Sequence, residues 1–157
     1  MKIGILSDTH GMIHEAEKVM AEIKDLDVIL HAGDVVSDAH SLESIIKCEV
    51  HSVAGNCDFN ALEPGEKILE LGGKKILLTH GHIYRVKFGL DRLFYRAKEM
   101  SVDAVVYGHT HIPENTVIEG ILFFNPGSPA LPKVHGPGTY GIWEIIDTDI
   151  RASIESV

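Results

Sequence analysis

The chain has 157 residues, of which 45% are apolar, and its formal net charge at pH 7 is -9. This length suffices for one sizeable hydrophobic core and is too short for two ordinary domains, so we expect a single domain over residues 1–157. The negative charge argues against an extended nucleic-acid surface or an acidic membrane as partner, because neither phosphate array would be attracted to it. A small phosphorylated ligand is still compatible, since divalent cations bound in a cleft reverse the local charge.

Cysteine usage and hydropathy indicate a reducing compartment and no membrane anchor. The chain has only two cysteines, Cys48 and Cys57, unlike a secreted domain held together by many disulfides. The N-terminal apolar run, Lys2–Leu6, is too short for a signal-peptide core. No apolar run approaches the roughly 20 residues that a membrane helix needs. We therefore expect a cytoplasmic protein.

The first part of the chain repeats a strand–helix pattern. The aliphatic run Lys2–Leu6 precedes apolar residues at helical spacing, and the run Val28–Leu30 precedes a second helical pattern and a strand over Val50–Ala54. Two consecutive βαβ units indicate a parallel sheet covered by helices.

The rest of the chain predicts three hairpins, one further helix and one further buried strand. Lys67–Leu71 and Lys74–Thr79 are joined by Gly72-Gly73, which suits a tight turn, and we expect this hairpin to make the first sheet mixed. A helical pattern over about 88–100 leads to a strand at Ala104–Tyr107. Two hairpins follow, at 117–124 and 140–154, and we expect them to form a second sheet packed on the first.

Side chains that can bind metals follow five predicted strand ends. In open α/β sheets ligands bind outside the carboxyl ends of the strands, so we expect these residues to converge. In an extended His-x-His segment both imidazoles lie on one side, which predicts that His109 and His111 reach the same site. Mixed imidazole and carboxylate ligands suit zinc, iron, manganese or nickel. The five groups are Asp8-Thr9-His10, Gly33-Asp34, Gly55-Asn56-Cys57-Asp58, His80-Gly81-His82 and Gly108-His109-Thr110-His111.

Each group also has a purely structural interpretation. Asp-Thr after a strand is often a helix cap or turn, and Gly33-Asp34 and Gly55-Asn56 are natural turn sequences. Independent turns, however, have no reason to place aspartate, histidine or asparagine at all five strand ends. The set as a whole therefore favours a metal centre over five unrelated turns.

In this order, and spanning residues 3 to about 130, the five groups resemble the calcineurin-like metallophosphoesterase superfamily, in particular its small single-domain bacterial and archaeal phosphodiesterases. The resemblance implies an α/β fold, an αββα sandwich of two mixed β-sheets flanked by helices, as in metallo-dependent phosphatases. It also implies a phosphoric diester hydrolase with a binuclear metal centre and a metal-bridged hydroxide as nucleophile. Two cations about 3.5 to 4 Å apart lower the pKa of such a water and neutralise phosphoryl charge.

The resemblance also assigns the ligands and the cofactor. Manganese or nickel is the leading expectation, and iron, zinc, cobalt and magnesium stay open because the ligand types do not select among them. The expected catalytic set is Asp34, which bridges the metals, with Asn56, His80 and His109. One metal is assigned to Asp8, His10, Asp34 and His111, and the other to Asp34, Asn56, His80 and His109.

Cys57 is the main departure from the commoner pattern of this superfamily, which has histidine at that position. That histidine is usually assigned to assist the leaving group or bind phosphate, whereas cysteine is a poorer cation and a weak hydrogen-bond donor. We therefore expect preference for singly charged diesters over dianionic monoesters, with plain packing of Cys57 as the alternative. Asp58 is expected to orient its loop or a neighbouring histidine, and His82 either to contact phosphate or to support a ligand. The segment Asn125–Pro129 suits either a rigid turn or substrate contact.

Other functions fit the same pattern. Cys57 is the only feature of the sequence that argues against a phosphomonoesterase of this fold. A scaffold related to the retromer sorting subunit is opposed by the full set of competent ligands, since that class tends to lose them, and two open sites fit catalysis better than a metal-binding regulator. The expected partner of an enzyme is a small phosphodiester, with a cyclic nucleotide, a nucleotide diester or a phospholipid head group as open choices. Exposed sheet edges also make a homodimer an expectation.

Overall fold

The computed structural model describes residues 1–157 as ten strands, three α-helices and two short 3-10 helices. In chain order these are β1 (Lys2–Leu6), α1 (His14–Glu22), β2 (Val28–His31), α2 (Val36–Ile46), β3 (Glu49–Ser52), β4 (Glu66–Leu71), β5 (Lys74–Thr79), the 3-10 helices His82–Tyr84 and Val86–Phe88, α3 (Asp91–Met100), β6 (Ala104–Val106), β7 (Glu114–Ile118), β8 (Ile121–Asn125), β9 (Thr139–Ile146) and β10 (Asp149–Ser156).

The strands form two five-stranded sheets. The order is β10-β9-β1-β2-β3 in the first sheet and β4-β5-β6-β8-β7 in the second. Each sheet is mixed: β1, β2 and β3 are parallel while β9 runs antiparallel to β1, and β5, β6 and β8 are parallel while β4 and β7 are antiparallel to their neighbours. Both sheets therefore have parallel strands at their centre, whose carboxyl ends can position a site.

Three apolar clusters define four layers. The central cluster joins the facing sides of the two sheets and includes Ile3, Leu30, Ile76 and Trp143, all buried. A second cluster packs α3 on the outer face of the second sheet, and a third packs α1 and α2 on the outer face of the first. This arrangement confirms the predicted αββα sandwich.

The helices cover the sheets through short apolar faces. In α1 the buried residues are Ala16, Val19 and Met20, spaced three and four apart on one face, and in α3 they are Leu93 and Ala97. None of the helices combines the length and the apolar character that crossing a bilayer demands.

The division of strands between the sheets differs from the expectation in two places. The β4–β5 hairpin was expected in the first sheet, but it begins the second. The β9–β10 hairpin was expected in the second sheet, but β9 returns to pair with β1, with Ile3 opposite Trp143. The alternating burial along β9 marks it as a strand with one core-facing side, and that pattern is the same whichever sheet it joins. Sequence periodicity therefore could not decide the partner.

Candidate metal centre

Five loops meet at one end of the sandwich. Asp8 follows β1, Asp34 follows β2 and Asn56 follows β3 in the first sheet, while His80 follows β5 and His109 follows β6 in the second. Within each sheet these strands run parallel to one another, β1, β2 and β3 in the first sheet and β5 and β6 in the second, so their carboxyl ends share an edge. The structure thus brings together residues up to 101 positions apart in sequence.

Asp8, His10 and His111 form one cluster of donor atoms. The Nε2 atoms of His10 and His111 are 3.2 Å apart. Oδ1 of Asp8 lies 3.3 Å from Nε2 of His111 and 3.9 Å from Nε2 of His10. All three donor atoms lie within 4.8 Å of one another, which a single metal ion can span.

Asp8, Asp34 and His80 form an adjoining cluster of three buried residues. Nε2 of His80 is 3.9 Å from Oδ1 of Asp8 and 4.0 Å from Oδ2 of Asp34, and it faces Oδ1 of Asn56 at 3.1 Å. The same Oδ2 of Asp34 is 3.6 Å from Nε2 of His10. Asp34 therefore belongs to the second cluster and also approaches the first, as a shared ligand would.

Asp8 presents one oxygen to these clusters and uses the other for structure. Oδ2 accepts hydrogen bonds from Ser7 Oγ at 2.7 Å and from the backbone amide of His109 at 2.9 Å. Oδ1 is buried and has no hydrogen-bond partner, since the contact with His111 is not aligned as one. A buried acceptor left unpaired costs about 1–3 kcal/mol. A divalent cation would satisfy it, so the residues present fit a metal.

The ionisation of Asp8 suits the same role. Burial alone would raise the pKa of Asp8, but the nearby His111 and His80 outweigh it and hold that pKa below its usual value. Contact with Asp8 raises the pKa of His111. Asp8 is therefore a carboxylate at neutral pH and can act as an anionic ligand.

Backbone carbonyls fix the orientation of two of the histidines. Nδ1 of His80 donates to the carbonyl of Ala32 at 2.9 Å, and Nδ1 of His111 donates to the carbonyl of Leu131 at 2.7 Å. When each imidazole is neutral, this bond keeps its proton on Nδ1, so the Nε2 that faces the centre is the nitrogen that could bind a metal.

His109 lies beside His80 but outside both clusters. Their ring centroids are 5.0 Å apart, and the ring of His82 is 6.1 Å from that of His109. Burial, with the electrostatic effects of His80 and Lys87, lowers the pKa of His109 to about 4. His109 is therefore neutral at pH 7 and available as a ligand, although its nitrogens do not complete a group of three in this structure.

Several of the proposed ligands have a left-handed backbone conformation and do not lie in an extended strand. His109 and His111 have φ values of 69° and 58°, so the extended His-x-His geometry expected from the sequence was wrong although both rings reach the centre. Asp8, His10 and Asp34 also have positive φ. Aspartate and histidine adopt this region more readily than most residues, yet each such position stores about 1–3 kcal/mol of strain. Five of them at one site indicate a functional arrangement.

Cys57 and Asp58 both contact the loop of Asp34. The amide of Cys57 donates to Oδ1 of Asp34 at 2.7 Å, and its thiol donates to Oδ2 at 3.1 Å. The latter bond raises the pKa of Cys57 to about 11. Asp58 accepts from the amides of Gly55, Val35 and Val36, so its carboxylate ties the β3 loop to the start of α2. His82 has a buried Nδ1 without a partner, and burial lowers its pKa.

Two buried residues outside the five groups, His31 and Asp38, support the Asp8 loop. Oγ1 of Thr9 donates to Oδ2 of Asp38 at 2.6 Å and lies 3.2 Å from Nε2 of His31, and the amide of Gly11 also donates to Asp38. Asp38 stands on the buried face of α2 with Ala39 and Leu42. A carboxylate on the apolar face of a helix was the signal that could have identified it.

The segment Asn125–Pro129 donates hydrogen bonds to two of the loops that carry the proposed ligands. Nδ2 of Asn125 donates to the carbonyl of Gly108, and Oγ of Ser128 donates to the carbonyl of Asp8 at 2.7 Å. Asn125 and Ser128 are both fully buried. Of the two interpretations of this segment, the structure favours the rigid turn over direct substrate contact.

Comparisons with known proteins agree with this geometry. The sequence profile of the calcineurin-like phosphoesterase superfamily domain matches residues 1–148. A probable metallophosphoesterase of Bacillus subtilis, YsnB, is 36% identical over 143 residues, covering 90% of this chain and 83% of the relative. The phosphodiesterase YfcE of Escherichia coli is 29% identical over 180 residues, covering 98% and 91%.

Solved structures show the same architecture. A predicted phosphoesterase from Streptococcus pneumoniae superposes with a TM-score of 0.84 at 32% identity, covering 99% of this chain and 88% of that one. Vps29 of Entamoeba histolytica, solved in complex with zinc, superposes with a TM-score of 0.80 at 24% identity, covering 100% and 98%. At that identity the second likeness concerns the fold alone.

Proposed function

Because this chain belongs to the calcineurin-like phosphoesterase superfamily, we propose that it is a phosphoric diester hydrolase that works with two divalent metal ions. The observation that carries the proposal is the pair of adjoining donor clusters that share Asp8, with Asp34 belonging to one cluster and approaching His10 of the other. A single structural ion would need only one of them.

The proposed ligand sets combine the two clusters with the neighbouring Asn56 and His109. Asp8, His10 and His111 would hold one ion with Asp34, and His80, Asn56 and His109 would hold the other, with Asp34 as the ligand common to both. Manganese or nickel is the proposed pair, and iron, zinc, cobalt and magnesium are compatible with the same ligands. Ions in this arrangement supply a water of lowered pKa and neutralise charge on the phosphoryl oxygens.

The chain's own residues position this chemistry. The carbonyls of Ala32 and Leu131 keep two imidazoles in the metal-binding tautomer. Ser7 and the amide of His109 hold Asp8 with one free oxygen. His82 sits with its ring 5.3 Å from that of His80, close enough to support this ligand or to meet a phosphoryl oxygen. No side chain needs to form a covalent intermediate.

Cys57 supports diesters over monoesters as substrates. It stands beside Asp34 as a neutral thiol, where an imidazolium would add a positive charge for a second phosphate charge. A site with fewer cations favours a substrate with one negative charge. A phosphomonoesterase of the same fold is the alternative, and the ratio of the two activities decides between them.

The scaffold alternative shares the fold but has less support. Vps29 resembles this chain in structure at 24% identity, whereas the probable metallophosphoesterase YsnB is 36% identical in sequence. All seven proposed ligands are also present at the centre. These observations favour an enzyme.

The proposed substrate is a small phosphodiester, and a cyclic nucleotide is one candidate. A cytoplasmic location agrees with the unpaired Cys48 and Cys57.

A homodimer through β10 is also proposed, because this eight-residue strand forms the outer edge of its sheet. On this edge the side chain of Asn115 donates a hydrogen bond to the carbonyl of Ala152. Sedimentation velocity at rising concentration tests the dimer, and a constant monomer mass would contradict it.

The proposed function is tested by hydrolysis of bis(p-nitrophenyl) phosphate beside p-nitrophenyl phosphate, using chelated protein with and without added manganese or nickel. We expect diester turnover only with metal, and its loss in Asp34→Asn. Asp147→Asn is the matched control, because Asp147 is an exposed turn residue with φ 55°, close to the 58° of Asp34. Absence of turnover with every metal would favour the scaffold.

A further inference from the structure

Exposed apolar residues occur on the loops that form the candidate metal centre. Four of the five loops that carry the proposed ligands also expose a large apolar residue. We call this set the apolar rim, and it consists of Met12, Phe59, Leu62, Ile83, Phe88 and Ile112. Phe59 is 89% exposed, Phe88 91% and Leu62 100%, the highest values among the large apolar residues of the chain.

Local hydrogen bonds place the apolar rim beside the ligands. The amide of Met12 donates to the carbonyl of Thr9 at 2.9 Å, which turns Met12 back over the Asp8 loop. Ile112 follows His111, and its amide is held by Oγ1 of Thr110 at 3.1 Å. Phe59 follows Asp58, whose carboxylate is fixed by three backbone amides. Met12, Phe59 and Ile112 therefore lie within three residues of a proposed ligand on the same loop.

Two lysines accompany the apolar rim. Lys87 precedes Phe88 and its charge reaches His109, while the amide of Lys133 donates to the carbonyl of His111 at 3.2 Å. Both lysines are exposed. In a chain of net charge -9 they place positive charge where an anionic substrate would enter.

The arrangement of polar and apolar residues on this surface differs from that of a protein–protein interface. Protein interfaces have an apolar centre and a polar rim. Here the centre holds the buried Asp8, Asp34 and His80, and the apolar residues lie outside them. A small ligand with a charged group at its middle and apolar groups at its ends matches that order, because ligand sites combine mainly apolar contacts with a few placed polar groups.

We infer that the substrate is a phosphodiester with an apolar alkyl or aryl substituent, and that the apolar rim binds this substituent while the phosphate lies at the metal centre. The inference rests on the proposed diesterase function and specifies its substrate. The rim acts by contact area and not by hydrogen bonding, so we expect affinity to grow with the size of the substituent.

The test uses p-nitrophenyl methyl, propyl and hexyl phosphates, which share the leaving group and differ only in the second substituent. With manganese-loaded protein we expect KM to fall by roughly tenfold from methyl to hexyl, since each methylene removed from water contributes to binding. Because the leaving group is unchanged, kcat should stay constant.

Variants assign the effect to the rim. Leu62→Ser and Phe88→Ser should each reduce the ratio of the kcat/KM for the hexyl ester to that for the methyl ester by roughly threefold. Val117→Ser is the control, because Val117 is 65% exposed and shares a cavity with Lys74 and Asp103 at the opposite end of the second sheet. It should keep the wild-type ratio.

The failures are distinguishable. No turnover of any ester would contradict the proposed function itself. Turnover of all three esters with a KM that does not depend on the length of the alkyl substituent would overturn the inference about the apolar rim. If KM is the same for all three esters and Leu62→Ser also converts a dimer to a monomer, the inference is overturned as well. The apolar rim would then form a contact between two copies of the protein.

Discussion

The contact between Cys57 and Asp34 sets the charge at the mouth of the centre. The thiol and amide of Cys57 both donate to the carboxylate of Asp34, so this side chain is held close to the proposed bridging ligand. A side chain in this position can add a hydrogen bond to a phosphoryl oxygen or leaving group. Whether it also adds a positive charge depends on its identity.

Replacing Cys57 with histidine should shift preference toward monoesters. An imidazolium donates a charge-assisted hydrogen bond worth about 1.5–3 kcal/mol, so the ratio of monoester to diester kcat/KM should rise roughly tenfold. Cys57→Ala separates the gain of a cation from the loss of the thiol and should leave the ratio near wild type. An unchanged ratio in Cys57→His would contradict the assigned role of Cys57.

His31 is a buried neutral histidine with a defined tautomer. The amide of Gly33 donates to Nδ1, so Nε2 carries the proton and donates to Oγ1 of Thr9, whose hydroxyl donates to Asp38. Burial lowers the pKa of His31 from 6.5 to about 4. A second proton at Nδ1 would face the amide of Gly33.

This tautomer predicts loss of stability in mild acid. Between pH 6.5 and 4 the unfolded chain binds more protons at His31 than the folded chain, so the free energy of unfolding falls as pH falls. Wild-type protein in chelator should lose about 2 kcal/mol more than His31→Asn between pH 7 and pH 5, measured by urea unfolding. Equal losses in the two proteins would show that His31 is not the titrating group.

At the scale of elements, the segment after β3 packs tightly against the loop after β2. A side chain at Gly55 would place its Cβ 2.6 Å from the amide nitrogen and 2.7 Å from Cα of Asp34. Such a contact is too short to be relieved by a rotamer change, because the atoms it meets are backbone. Gly55 therefore sets the position of Asp34 by close approach.

Gly55→Ala should displace Asp34 and disturb the centre. We expect a loss of about 1–3 kcal/mol in the free energy of unfolding and roughly a hundredfold loss of diester turnover. Gly65→Ala, in the same connection between β3 and β4, has open space around it and should stay within about 0.5 kcal/mol of wild type. Similar effects of both variants would contradict the close packing.

The elements show what sequence patterns can and cannot predict. Periodicity identified β1, α1 and the three hairpins, because one-sided burial leaves a period of two or 3.6 in the sequence. It could not assign β9 to the first sheet, since that choice depends on pairing with β1. The loops of the centre were found because aspartate and histidine recur at strand ends. The support from Asp38 was missed, and the role of Asn125 and Ser128 was left open between a rigid turn and substrate contact, because their hydrogen bonds exist only in the folded chain.

At the scale of the whole molecule, the proposed metals join the two sheets. Asp8 and Asp34 belong to loops of the first sheet, and His80 and His109 to loops of the second. Ions bound between them would link the two layers at one end of the sandwich. The folded chain should therefore be more stable with metal than without it.

Metal removal should lower the melting temperature. Manganese at a hundred times its dissociation constant stabilises the folded state by about 2.7 kcal/mol, which corresponds to roughly 5–10 °C for a chain of this size. The shift should be much smaller in Asp34→Asn and of normal size in Asp147→Asn. A wild-type melting temperature unaffected by chelation would contradict metal binding at this centre.

The most direct measurement is a titration of metal-free protein with manganese, in which bound ions per chain and turnover of bis(p-nitrophenyl) phosphate are recorded on the same samples. The account predicts two ions per chain, with turnover following occupancy of the second, and neither full occupancy nor turnover in Asp34→Asn. Saturation at a single ion with full diester turnover would contradict the two-metal centre. Two bound ions without turnover would contradict the enzyme.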